Sequence, residues 1–270
     1  MSLWRAAIMG IVQGATEFLP ISSSGHLVLV PWLLGWEDPG LSFDVVAHLG
    51  TLAALVGYYW EDLVRIGVGW LRGVVALRPM SREARMGWLL VVSAIPAGVV
   101  GLLLEEPISW LFGSPRIVSL LLIVTGLILY GVEQLRHRSM RLEDLGVGDA
   151  LIVGLAQCLA IAPGISRSGS TIAGGLLRGV ERSEAARFAM LMSVPVIMGA
   201  GVAQGYRMVS APASAPSWDA LTIGFVFAAL SGWVGIRLLL AAVRRRGLRP
   251  FAYYCWAFGA TCFSLSLVVA

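Results

Sequence analysis

GIVQGATEFLPISSSGH at residues 10–26 and GLAQCLAIAPGISRSGS at residues 154–170 are two copies of one pattern. A single offset of 144 residues relates Gly10 to Gly154, Gln13 to Gln157, Ile21 to Ile165, Ser22 to Ser166 and Ser24 to Ser168. The chain therefore carries an internal repeat. In each copy a proline and a Ser/Gly-rich run interrupt an apolar segment, and paired interruptions of this kind point to a site built where two repeats meet. The copies differ where side chains carry chemistry: Ser23 is matched by Arg167, and His26 by Ser170.

Composition sets the environment. Of 270 residues, 57% are hydrophobic and 13% charged, with mean hydropathy +0.80, against the roughly 25% charged of soluble domains. This is an integral membrane chain. Its net charge of +4 is read against topology, not as an affinity for nucleic acid. All 20 basic residues are Arg, and no function is drawn from that. Cys158, Cys255 and Cys262 show no paired spacing and read as small core residues. No cleaved signal peptide is expected, because Gln13, Glu17 and Pro20 interrupt the first apolar run.

Runs of about 17 to 25 apolar residues mark membrane spans. Six are predicted: Phe43–Trp60, Trp88–Leu104, Ile117–Val132, Phe188–Tyr206, Leu221–Val243 and Phe251–Val269. Two broken stretches, 3–34 and 150–177, read as re-entrant helical hairpins. Irregular backbone at membrane depth needs protein or water to satisfy its polar groups, so both breaks belong in a buried, wet place. Each half then holds one hairpin and three crossings, and the odd number inverts the second copy. The expected fold is an all-α membrane protein of two inverted repeats, residues 1–135 and 150–270, joined by a cytoplasmic linker at 136–149. The loop 61–87, that linker, the stretch after the second hairpin and residues 244–249 are rich in Arg. Placing all four inside satisfies the positive-inside rule. The first hairpin then dips from outside and the second from inside, and their tips meet near the midplane.

Gln13 and Glu17 share one helical face, and Glu17 is an ionisable group at membrane depth, costly without a partner or a metal. Ser22, Ser23, Ser24, Gly25 and His26 follow, where a half-helix begins and its free N–H groups favour an anion. A serine nucleophile needs a base, and the base an orienting acid. The second tip offers Ser166, Arg167, Ser168, Gly169, Ser170 and Thr171. Arg167 lies far from any predicted interface, and its buried guanidinium needs an anion, either a phosphate or Glu17. Asp44 and His48, also four apart, read as a solvated pair at the outer end of the first span in preference to a metal site or proton relay. His137 reads as linker surface.

Residues 13–26 together with 163–171 closely resemble the motifs of the undecaprenyl-diphosphate phosphatase family of the bacitracin-resistance type, and the likeness extends over the whole chain. The resemblance implies hydrolysis of undecaprenyl diphosphate to undecaprenyl phosphate and inorganic phosphate, recycling the lipid carrier for peptidoglycan synthesis and conferring bacitracin resistance. It implies a multi-pass protein of the bacterial cytoplasmic (inner) membrane whose site opens to the extracytoplasmic side. Membrane lipids are its surroundings, and the oligomeric state stays open between monomer and homodimer. A divalent cation is also implied, Mg²⁺ or Ca²⁺. The family's acidic pair allows Glu or Gln at its first position, and this chain has Gln13. Glu17 and the diphosphate itself are then the only ligands on offer, which suits a loosely held Mg²⁺.

The expected mechanism has Ser23 attacking the terminal phosphorus, with Ser22 as second choice and direct attack by water as an alternative. His26 exchanges protons and Glu17 orients it or the metal. Arg167, Gln13, Ser22, Ser24, Gly25, Ser166, Ser168, Gly169, Ser170 and Thr171 form the phosphate cradle. Inverted repeats with broken helices also build lipid and anion transporters, and a transporter would need Arg167 but not Ser23 or His26.

Overall fold

The computed structural model describes residues 1–76, 81–135, 139–210 and 216–268. His137 and part of the Arg-rich linker lie outside these. Eleven α-helices are found among the described residues, with short 3₁₀ turns and no strand, only an isolated bridge between Met140 and Val180.

Proline and serine set the first break. Helix α1 (Leu3–Phe18) stops where Pro20 forces Leu19 into extended backbone, at ψ 142°. Helix α2 (Ser23–Leu34) starts behind a serine cap, Ser22 Oγ accepting from Gly25 N–H at 3.2 Å. The second break repeats this. Helix α7 (Val147–Cys158) runs through a 3₁₀ turn, and α8 (Arg167–Leu177) starts behind Ser166, whose Oγ accepts from Gly169 N–H at 3.1 Å. Gly164 between them adopts φ +100°, and a Cβ there would meet the Val118 carbonyl oxygen at 2.5 Å.

The remaining helices are α3 (Leu41–Tyr58), α4 (Trp60–Ala76), α5 (Arg82–Ile108), α6 (Pro115–Glu133), α9 (Arg182–Ser210), α10 (Trp218–Arg245) and α11 (Arg249–Val268). Six of them, α3, α5, α6, α9, α10 and α11, are long and apolar enough to cross a membrane, and they coincide with the six predicted spans. One expectation fails. The stretch 61–87 is not a loop throughout, because α4 occupies most of it. Leu63 and Ile66 face the core, Trp70 meets Trp88 of α5 edge-on at 5.5 Å, and Arg65 lies on the other side paired with Asp62. An amphipathic period with interspersed charge lowers hydropathy enough to hide such a helix from a search for spans.

The two re-entrant helices pack across the chain halves: α1 lies along α10, and α7 lies along α5. The repeat-matched Gly10 and Gly154 allow it, a Cβ on either meeting a carbonyl oxygen of the facing helix, that of Gly224 or of Ser93. Between these pairs Phe18, Leu55, Leu122, Leu129, Ile172, Leu176 and Met190 form the core. The outer surface keeps large apolar side chains exposed, among them Leu102, Val202 and Leu230, as a lipid-facing surface requires. At the Arg-rich end, buried Glu133 pairs with Arg182 and accepts from Leu248 N–H at 3.2 Å, tying α6, α9 and the α10–α11 turn together.

Candidate functional site

The two tips touch. Ser168 Oγ of the second donates to the Leu19 carbonyl of the first at 3.0 Å, and a Cβ on Gly25 would lie 3.2 Å from Gly164 Cα. Thr125 of α6 supports the second tip by donating to the Gly164 carbonyl at 2.8 Å and accepting from Ser166 N–H at 3.1 Å.

Glu17 is the centre of this contact. It is 5% exposed, and both carboxylate oxygens are engaged. Ser23 Oγ donates to Oε2 at 2.5 Å, Gln13 Nε2 donates to Oε2 at 3.0 Å, and the Arg167 guanidinium pairs with Oε1. His48 of α3 completes the circle, its Nε2 3.6 Å from Oε2. A buried carboxylate is tolerable because charge and hydrogen bonds surround it. The anion for Arg167 in this structure is therefore Glu17. Its fork is only half used, since Nη1 is buried without a partner among the described residues.

Beside this cluster lies a cavity of about 310 Å³ lined by Glu17, Ser22, Ser23, Ser24, Ser166 and Arg167, by Leu41, Asp44, Val45, His48 and Leu49 of α3, and by Ala160, Ile165, Val196, Ile197, Ala200, Gly201 and Gln204. The N-terminal ends of both half-helices border it, which makes one wall anion-binding. The α3 and α9 side is mostly apolar, with Asp44, His48 and Gln204 as its polar members. The arrangement suits a ligand with an anionic head and a hydrocarbon tail.

The expected cradle residues divide between the cavity wall and the tips behind it. Ser22 Oγ caps α2 and lies 3.2 Å from Ser24 Oγ, and Ser166 Oγ caps α8 and lies 3.1 Å from Ser168 Oγ. Thr171 Oγ1 donates to the carbonyls of Arg167 and Ser168. Gly25, Ser168, Gly169, Ser170 and Thr171 do not line the cavity; they build the tips. Gln13 holds Glu17 from behind, and its repeat partner Gln157 is buried outside the cavity. Short hydroxyl side chains at a helix start are caps first, which sequence alone does not separate from ligand binders.

His26 is the larger correction. It is 3% exposed and turned away from Glu17 toward α11, stacked on Phe258 with ring centroids 4.9 Å apart. Its Nδ1 lies 2.7 Å from the Ser22 carbonyl, which can only accept, so Nδ1 carries the proton. Nε2 then accepts from Tyr254 Oη at 2.8 Å. Both nitrogens are committed. Ser22 sits at φ +69°, a strained conformation for a residue with a Cβ, while its repeat partner Ser166 is relaxed at φ −75°. The half with the strained serine is the half with the histidine, and His26 Nδ1 is bonded to that serine's carbonyl.

Asp44 and His48 are not a solvated pair. They line the cavity, and Asp44 Oδ1 is buried without a partner among the described residues. The available signal was their presence inside an apolar span, where ionisable residues mark sites. A resident metal does not fit this donor set. Among the described residues no three His, Cys, Asp or Glu side chains converge, and Glu17 already has both oxygens occupied by protein.

Comparison with known proteins agrees over the full length. The family model described as bacitracin resistance protein BacA matches residues 6–261. The chain is 44% identical over 267 residues to the undecaprenyl-diphosphatase of Thermomicrobium roseum, covering 96% of each chain. It is 41% identical over 279 residues to that of Methanosphaera stadtmanae, covering all of both, and 42% identical over 268 residues to that of Desulforudis audaxviator, covering 99% of each.

Proposed function

This chain belongs to the bacitracin resistance protein BacA family, a multi-pass membrane hydrolase that removes the terminal phosphate of undecaprenyl diphosphate, and we propose that Ser23 is its nucleophile and Glu17 its base. The product, undecaprenyl phosphate, returns to cell-wall synthesis, and its recovery underlies bacitracin resistance. Relatives named as diphosphatases leave the transporter reading without support.

The observation that carries the mechanism is the 2.5 Å hydrogen bond from Ser23 Oγ to Glu17 Oε2 at the edge of the cavity. A carboxylate that already accepts the hydroxyl proton is placed to take it as the oxygen attacks. Ser22, the other candidate, has its oxygen turned to the α2 cap. The Arg167 guanidinium, which lines the cavity, and the N–H groups at the starts of α2 and α8 offset the charge of the transition state. The prenyl chain leaves between α3 and α9, along Leu41, Leu49, Val196 and Gly201.

The donor set supports no protein-held metal, so a divalent cation enters as a complex with the diphosphate, and no step here is assigned to it. In our reading the repeats are inverted, the protein sits in the cytoplasmic membrane, and the cavity opens on the extracytoplasmic side. The support is the Arg-rich ends of α4, α5 and α10, opposite the start of α3 where Leu41 and Asp44 line the cavity.

The test is phosphate release from undecaprenyl diphosphate by the purified protein and its Ser23→Ala variant. We expect a loss of about 10³-fold or more on the scale of removing a nucleophile. Near-full turnover by Ser23→Ala overturns the assignment.

A further inference from the structure

The proposed nucleophile has a base, but a phosphoserine route needs a second group. Something must protonate the departing phosphate and then activate water. His26 cannot do so, with both ring nitrogens bonded and its ring behind the tip.

We propose that His48, acting through Nε2, is this second catalytic residue. Its Nδ1 lies 2.7 Å from the Asp44 carbonyl oxygen, which only accepts, so Nδ1 carries a proton and the exchangeable position is Nε2. That atom faces Glu17 Oε2, the same oxygen that accepts from Ser23, at 3.6 Å. The His48 side chain is 34% exposed, enough to reach a ligand, and it lines the cavity. One turn earlier Asp44 lines the same flank, its buried Oδ1 without a partner among the described residues. The titratable and charged groups around His48 are Glu17 from α1, Arg167 from α8 and Asp44 from its own helix, with Ser23 from α2 and Gln204 from α9 as polar neighbours.

The inference rests on the covalent reading above, and its chemistry balances. In the first half-reaction the bond from Ser23 Oγ to the terminal phosphorus forms and the bond from that phosphorus to the bridging oxygen breaks. The hydroxyl proton passes to Glu17, and His48 Nε2 gives its proton to the departing undecaprenyl phosphate. In the second, water attacks the phosphoserine, His48 Nε2 takes a proton from that water, and Glu17 returns its proton to Oγ as the phosphorus–Oγ bond breaks. Inorganic phosphate leaves and both residues are restored.

The experiment uses the full chain in lipid nanodiscs with undecaprenyl diphosphate. His48→Asn keeps a donor near the Asp44 carbonyl but has nothing at Nε2; His48→Gly leaves room for added imidazole. We expect His48→Asn to lose about 10²-fold or more in kcat and to accumulate phosphoserine on acid quenching. Added imidazole should restore turnover to His48→Gly, a readout that a merely structural role would not move. The inference is overturned if His48→Asn keeps kcat within about threefold with no phosphoserine accumulating, or if imidazole fails to rescue a folded His48→Gly. Failure of the covalent reading is separate, because it appears as turnover by Ser23→Ala whatever His48 does.

Discussion

Glu17 on α1 and Arg167 at the start of α8 form an ion pair that joins the tips of the two re-entrant hairpins. The pair both holds the tips together and keeps the guanidinium beside the cavity with Nη1 unspent. Substrate therefore enters a site whose charges are already balanced.

Removing one partner of a buried pair leaves the other uncompensated, at a cost of about 3–5 kcal/mol. Glu17→Gln should therefore lower the thermal midpoint as well as turnover, which falls about 10²-fold or more through loss of the base. Phosphate release and a melting curve in the same detergent measure both. Wild-type turnover in Glu17→Gln would contradict the role given to this carboxylate.

Arg167→Ala should lose more than about 10²-fold in rate, the scale of removing a key charge stabiliser. Arg167→Lys should recover only part of it, because an ammonium cannot bridge Glu17 and a phosphate with two prongs. Steady-state kinetics of the two variants decide this, and an active alanine variant would remove Arg167 from the site.

His26 acts by holding Ser22 in its strained conformation. His26→Ala should lower stability by about 2–4 kcal/mol through the cavity and the lost bonds to Ser22 and Tyr254. Activity should fall with it, while the remaining turnover keeps the wild-type pH dependence. A variant that melts normally but loses a limb of the pH profile would return proton transfer to His26.

Gly164 at φ +100° packs against the Val118 carbonyl. Gly164→Ala should cost about 2 kcal/mol or more from the left-handed backbone and from displacing α6. The measurable consequence is a lower midpoint with a raised KM, because Thr125 of α6 positions the second tip. An unchanged midpoint would show that the tip is not held by this contact.

The architecture was legible in the sequence because lipid imposes coarse rules. Spans must be long and apolar, and the two breaks announced themselves by Pro20, by Pro163-Gly164 and by their shared offset. Helix α4 was not, since a charged amphipathic face resembles a loop in hydropathy. Glu17, Ser23 and Arg167 were legible as chemistry out of place in an apolar chain, and the structure brings all three together. The direction His26 takes was not legible, because a histidine three residues past a serine can face it or turn its back. Asp44 and His48 were visible but undervalued, because only tertiary packing of α3 on the tips tells a cavity wall from a wet helix end.

The central claim is covalent catalysis by Ser23, and the stereochemical course at phosphorus tests it most directly. Undecaprenyl diphosphate made chiral at its terminal phosphorus with sulfur and oxygen isotopes is hydrolysed, and the configuration of the released thiophosphate is determined. Two successive in-line displacements, by Ser23 and then by water, predict retention. Inversion would mean a single direct attack by water and would contradict the account.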